Sequence, residues 1–228
     1  MVSTLEAKEG SWLLIDKELH WTSFDVVAKI RNTLKIKKVG HAGTLDPLAS
    51  GLLLVATGKK TKEISHFMGQ SKTYIANVRF GATTPSLDAE FPEEQIIPGY
   101  ILDTNQLECN ILKFIGETDQ VPPIFSAIHI QGKRAYHLAR VGNEVIMPTR
   151  KVAIYELRIL STGLQSAELH VKCSSGTYIR SLARDIGEIL GVPAYLSSLR
   201  RTHIGDFDIK DAYTIKQWID YWKDSADM

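Results

Sequence analysis

The sequence predicts an α+β fold, a mixed and largely antiparallel sheet flanked by helices. Three observations lead there. Segments with strand and helix periodicity are interspersed without the regular strand–helix–strand beat of a doubly wound fold. Two alternating runs, "VAIYELRIL" and "AELHVKC", read as neighbouring, paired strands. A chain of 228 residues with 44% hydrophobic content can bury a core without staples.

The elements follow in order. Ser11–Ile15 reads as a short strand. Thr22 to Asp25 fits a capping box, and Phe24, Val27, Ile30 and Leu34 follow at helical spacing. After a glycine-flanked loop, Leu52–Ala56 has the unbroken apolar character of a buried strand. Lys62–Met68 suits a short helix. In "KTYIANVRFG" the residues Tyr74, Ala76, Val78 and Phe80 share one face of a strand. Pro85, Pro92 and Pro98 punctuate an acidic connection, expected to be a surface loop. Asp103 can cap a helix reaching Phe114, with Leu107, Ile111 and Phe114 on one face. "IFSAIHIQG" reads as a strand and "KRAYHLARVG" as a short helix. "TYIRSLARDIGEILG" is a helix ending at Gly191. "YLSSLRRTHIG" is a further strand, and "TIKQWIDYW" the last helix.

Net charge is +1, but its distribution is uneven. Between Lys29 and Lys62 stand Lys29, Arg31, Lys35, Lys37, Lys38, Lys59, Lys60 and Lys62, with Asp46 the sole acid. Between Asp88 and Asp119 the balance reverses, with Lys113 the sole base. A neutral chain with so basic a segment can bind a polyanion. Cys109 and Cys173 are too few for a disulfide scaffold, so a reducing compartment, the cytoplasm, is expected. The N-terminus lacks the pattern of a secretory leader, and no apolar run is long enough to span a membrane.

Several chemistries drop out. "GKKT" at Gly58–Thr61 fails as a phosphate loop, since Leu53 and Lys60 stand where glycine and a hydroxyl residue are needed. There is no GxSxG elbow, no HExxH pattern, no zinc-deaminase signature and no Rossmann glycine set. His170 and Cys173 are spaced like metal ligands, but strand alternation puts them on opposite faces and no second pair exists. What is left is a site that uses no metal and no cofactor, or a binding surface.

What remains is the segment "GHAGTLDPLASG". Pro47 biases Asp46 toward extended backbone. Gly40, Gly43 and Gly51 permit tight turns and close backbone approach. A carboxylate among so many cations stays ionised, which suits a nucleophile or an electrostatic partner better than a general acid. The local pattern also fits a plain turn aspartate with a side-chain hydrogen bond to its own backbone.

The longer stretch "GHAGTLDPLASGLLLVATGKKTK" (Gly40–Lys62) resembles the signature of the TruB-type tRNA pseudouridine synthases. "IDKELHWTS" (Ile15–Ser23) is similar to that family's N-terminal LDKPxGxTS-like motif, and "KTYIANVRFG" to its KxYxAxxxxG strand. "VPPIFSAIHIQGKRAYHLAR", "CSSGTYIRSLARDIGE" and "LSSLRRTHIGDF" resemble further blocks in the same order. The likeness runs from about Leu13 to Phe207. It implies the pseudouridine synthase fold and conversion of uridine to its C-glycoside isomer, at the T-loop uridine of tRNA position 55. Asp46 matches the family's catalytic aspartate; attack on the base, attack on the sugar carbon and elimination to a glycal all stay open. Tyr74 matches the tyrosine that stacks on the target base and takes part in proton movement. Arg180 matches the arginine that pairs with the carboxylate. Tyr178 and Leu199 match positions lining the base pocket. His41 matches the residue that enters the RNA where the target has left its stack. Gly43, Thr44 and Leu45 join the substrate-binding set by their place in the block. Lys59 and Lys60 are expected to contact phosphates, which position an RNA stem without reading sequence. The implied partner is the T arm of tRNA, bound by a monomer without a guide RNA.

The chain also departs from the family pattern. Glu18 and His20 stand where the family shows proline and glycine, which affects the turn there. His129 stands where lysine is usual, and "TTPSLDAEF" matches the RxDTxDxxG-like loop only loosely. The expected organisation is one catalytic domain over residues 1–228, with an insertion loop around 82–102. No separate C-terminal RNA-binding domain is expected, and hence weaker hold on the acceptor stem. Rival readings are a guide-dependent synthase of the dyskerin kind, a tRNA-folding chaperone without turnover, and a small-molecule lyase using Asp46. The lyase leaves the Lys29–Lys62 charge excess without a purpose.

Overall fold

The computed structural model describes Glu6 and residues 9–130, 132–140 and 146–226. Strand β1 (Trp12–Lys17) leads to helix α1 (Ser23–Leu34) and strands β2 (Val39–His41) and β3 (Ala49–Thr57). A 3-10 turn (Gly58–Glu63), helix α2 (Ile64–Met68) and strand β4 (Lys72–Phe80) follow. Beyond a long connection lie helix α3 (Thr104–Ile111), a 3-10 turn (Leu112–Phe114) and strand β5 (Gly116–Gln120). The hairpin of β6 (His129–Ile130) and β7 (Lys133–Arg134) precedes helix α4 (Ala135–Arg140). Then come β8 (Arg150–Thr162), β9 (Ser166–Cys173), helix α5 (Ile179–Ile189) and β10 (Ala194–Ile204). The chain closes with β11 (Phe207–Asp208), β12 (Tyr213–Thr214) and helix α6 (Ile215–Ala226). Apart from the separate β6–β7 pair, the strands form the mixed sheet with flanking helices that the sequence predicts.

Two compact units divide the chain: Met1–Tyr74 with Leu199–Met228, and Ile75–Ser198. In the first, strands run in the order β12-β1-β3-β10. β1 and β3 are antiparallel, while β12 joins β1 and β10 joins β3 in parallel. β3 is apolar on both faces because both are covered, and Leu52, Leu53, Leu54 and Val55 are fully buried. On one face Leu53 and Val55 pack with Leu13 and Ile15 of β1, Val27 and Ile30 of α1, and Trp218 of α6. On the other, Leu52 and Leu54 pack with Ala42 and Ile204. Helix α1 starts with the predicted capping box: the Thr22 hydroxyl accepts from the Asp25 N–H, and the Asp25 carboxylate accepts from the Thr22 N–H.

In the second unit the order is β10-β4-β9-β8-β5. β8 and β9 pair in antiparallel register with two irregularities, and β5 adds antiparallel to β8. Helix α5 buries Ile179, Leu182, Ala183 and Ile186, and α3 buries Leu107 and Ile111. Asp103 caps α3 by accepting from the Gln106 N–H at 3.1 Å. His170 and Cys173 fall on opposite faces of β9, Cys173 buried and His170 half-buried.

Three local expectations are corrected. "IFSAIHIQG" is not a strand: among the described residues only His129 and Ile130 pair, with Arg134 and Lys133, because the partner segment turns into helix α4 at Ala135. The acidic connection is not all surface loop, since Ala82, Thr84, Ser86 and Asp88 are buried and Leu196 N–H donates to the Leu87 carbonyl. The helix near Arg180 starts at Ile179, with Tyr178 as its N-cap residue. The predicted end of the "KRAYHLARVG" helix, beyond Arg140, lies outside the described residues.

Candidate active site

The loop between β2 and β3 carries Asp46, and its shape follows from how the β3 edge is used. β1 occupies one edge of β3. On the other, β2 pairs along Val55–Thr57 and β10 along Ala49–Gly51. The carbonyls between need donors. Ala42 N–H serves Leu54 at 2.8 Å, and the Arg201 Nε serves Leu52 at 2.8 Å. Gly51, at φ 108°, lets β10 pass: a Cβ there would lie 2.7 Å from the Arg201 backbone nitrogen and closer still to its carbonyl oxygen.

Within the loop, Ala42 and Leu45 are buried anchors, while Thr44 and Asp46 are exposed. Ser23, buried at the start of α1, grips Leu45 twice: its hydroxyl accepts from the Leu45 N–H at 2.9 Å and donates to the Leu45 carbonyl at 3.2 Å. The Asp46 carbonyl accepts from Ala49 N–H at 3.0 Å, and the Pro47 carbonyl from His20 N–H at 2.7 Å. His20, where the family pattern has glycine, takes φ 66°, the left-handed backbone that favours glycine.

Lys17, at the end of β1, is 1% exposed. Its ammonium donates to the carbonyls of Glu18 at 3.0 Å and Trp21 at 2.7 Å. Burial lowers its pKa to about 8, against the pull of the Asp46 carboxylate and with a further push from Arg201. A cation is thus held in the field of the exposed Asp46. Arg201, on β10, is also 1% exposed. Besides Leu52 it donates to the carbonyls of Gly43 at 3.2 Å and Thr44 at 3.4 Å, and it shares a hydrogen bond with the Tyr74 side chain. Tyr74 is buried at the start of β4, beside the Thr73 carbonyl that accepts from the Thr202 hydroxyl.

His41 ends β2 half-buried. Burial pushes its pKa below the usual histidine value; the Gly43 backbone pulls it up, and Arg201 pushes it down. Leu199 sits half-buried on β10, paired with Ala49. Lys59 is exposed on the 3-10 turn, and Lys60 contacts Glu63 at 2.8 Å. The first unit therefore brings together His41, Gly43, Thr44, Leu45, Asp46 and Tyr74.

The second unit holds Arg180 and Tyr178. Arg180 is buried, with its guanidinium on the Asp88 carboxylate at 3.1 Å and the Ser86 carbonyl at 3.1 Å. The loosely matching "TTPSLDAEF" loop thus supplies a buried counter-charge. Asp88 is itself held, accepting from the Ser86 hydroxyl at 2.5 Å and Glu90 N–H at 3.0 Å. Tyr178 is pinned by Gln120, whose amide exchanges hydrogen bonds with its N–H and carbonyl at 2.8 and 3.1 Å. The Arg150 guanidinium lies 5.0 Å from the Tyr178 ring centre.

Sequence reasoning missed Lys17, Ser23, Asp88, Gln120 and Arg201. One signal existed: Lys17 shares strand parity with Leu13 and Ile15, so alternation points it inward.

Models of the "TruB family pseudouridylate synthase (N terminal domain)" and the "tRNA pseudouridylate synthase B C-terminal domain" match residues 31–179 and 180–228. A relative from Phocaeicola vulgatus called "tRNA pseudouridine synthase B" is 46% identical over 93% of this chain and 94% of its own. One of the same name from Flavobacterium johnsoniae is 46% identical over 92% and 95%. The crystal structure of a Cbf5-Nop10-Gar1 complex contains a chain 28% identical with TM-score 0.76, matched over 99% of this chain and 61% of that one. With the Asp46 loop inside the matched segment, the chain belongs to the TruB family of pseudouridylate synthases.

Proposed function

We propose that this enzyme isomerises uridine to pseudouridine in the T loop of tRNA, at position 55, acting in the cytoplasm as a monomer without a guide RNA. The observation that carries the reading is the Asp46 loop. Its main chain is gripped by Ser23 and Arg201, its carboxylate is exposed, and a buried ammonium lies in its field.

The reaction balances within one nucleotide. The bond from N1 to the sugar breaks, a bond from C5 to the same carbon forms, and the proton on C5 is lost as N1 gains one. No electron acceptor is consumed, so acid–base groups and a carboxylate suffice. Asp46 is the reactive carboxylate. Tyr74 stacks on the base and takes part in the proton movement. Arg180 and Tyr178 are assigned, by the family likeness, to the counter-charge and the base pocket, and Leu199 to the pocket wall. The target must leave its stack, which costs a few kcal/mol, and His41 offsets part of that by filling the vacancy. Gly43, Thr44 and Leu45 shape the loop that meets the RNA, and Lys59 and Lys60 meet phosphates. Residues 1–228 serve as one catalytic domain, with residues 82–102 an insertion.

The likeness to a chain of the Cbf5-Nop10-Gar1 complex favours a second reading, guide-dependent modification. One test separates the two. The pure protein is incubated with an unmodified tRNA transcript and pseudouridine is mapped. Product at position 55 without added RNA is expected; product only with a guide RNA supports the second reading, and tight binding without product a chaperone.

A further inference from the structure

Arg201 lies outside the residues that the family likeness assigns, yet its guanidinium donates to two carbonyls of the Asp46 loop. It is 1% exposed, and among the described residues its partners are three main-chain carbonyls and a phenol. Removing a guanidinium from water without a carboxylate to receive it is costly, and burial duly pushes its pKa down. Stability alone is an inefficient reason for such a group, because an apolar residue fills a core at less cost. Its planar fork can do what an apolar residue or a lysine cannot, which is to hold several acceptors in fixed directions at once.

The acceptors are informative. Leu52 lies in β3, Gly43 and Thr44 precede Asp46, and Tyr74 begins β4. A guanidinium only donates, so the Tyr74 oxygen accepts from it. The phenolic hydrogen must then point away from Arg201. We propose that Arg201 is a positioning residue that fixes the Tyr74 hydroxyl rotor and the main chain leading to Asp46 as one preformed unit. Both groups then meet the nucleotide without reorganisation, the condition for a large gain from orientation. Arg201 itself touches no substrate.

This inference rests on the uridine-isomerising reading, and its test has two arms. In the first, Arg201→Lys, Tyr74→Phe and the double variant are compared by single-turnover rate and by RNA affinity. Arg201→Lys is expected to lower the rate about 100-fold, the scale of a misplacement of about 1 Å, with affinity unchanged within about threefold. In the Tyr74→Phe background the same change is expected to cost clearly less than about 100-fold, because the hydroxyl it steadied is gone and only its hold on the Asp46 loop remains to be lost. Equal losses in both backgrounds, or a loss confined to affinity, would overturn the proposal. The second arm does not need an Arg201 variant to fold. Hydrogen exchange at the Arg201 guanidinium is followed by NMR in the wild-type protein and in Tyr74→Phe. Faster exchange in the variant is expected; unchanged exchange overturns the proposal. A wild-type protein without product defeats the uridine reading, while this second arm still decides the contact.

Discussion

A charge can be hidden where the main chain supplies its hydrogen bonds, and Lys17 and Arg201 are hidden in that way. For Lys17 the consequence is a pH dependence whose sign can be worked out. Its pKa falls from 10.5 in the unfolded chain to about 8 in the fold. Between those values the unfolded state binds more protons, so stability rises with pH across that window and the penalty is full below about 8. The gain is on the order of 3 kcal/mol. Denaturant unfolding from pH 8 to 10 should show wild type gaining on Lys17→Met; parallel curves would contradict the assignment. Asp46 was legible because its motif is contiguous. Arg201 was not, because its role exists only where β10 meets a loop some 150 residues earlier, a juxtaposition that a linear pattern does not record.

At the scale of elements, β3 was easy to read and β6 was not, for one reason. Leu52–Ala56 is apolar at every position because both faces are covered, and composition alone reveals that. "IFSAIHIQG" has strand-like residues, but a strand needs a partner, and beyond the two residues of β7 none is present among the described residues. The α1 capping box was legible because its hydrogen bonds link residues only three apart. The glycines give a contrast within one residue type. Gly51→Ala should be severely destabilising, by well over the 1 kcal/mol usual for left-handed backbone, because the Cβ collides with the β10 main chain. Gly191→Ala, at φ 72° with nothing within 4 Å, should cost only about 1 kcal/mol. Thermal unfolding of the two variants checks the difference; equal shifts would mean that β10 does not run so close to Gly51.

At the scale of the whole molecule, the Lys29–Lys62 charge excess lies entirely in the first unit, with the Asp46 loop, and the Asp88–Asp119 acids lie in the second. RNA affinity should therefore fall steeply with salt, by about 0.7 to 0.9 log units per tenfold salt for each phosphate contacted. Lys59→Ala should reduce that slope by about one contact. Lys60→Ala should reduce it less, since Lys60 already holds Glu63. An unchanged slope in Lys59→Ala would remove Lys59 from the interface. Among the described residues no helix is long and apolar enough to cross a membrane. The most direct measurement is turnover of a tRNA transcript by Asp46→Asn, read beside its affinity. Loss of pseudouridine formation is expected, with binding held within about tenfold, because phosphate contacts dominate affinity. Pseudouridine formed by the variant at a wild-type rate would contradict the role given to this carboxylate.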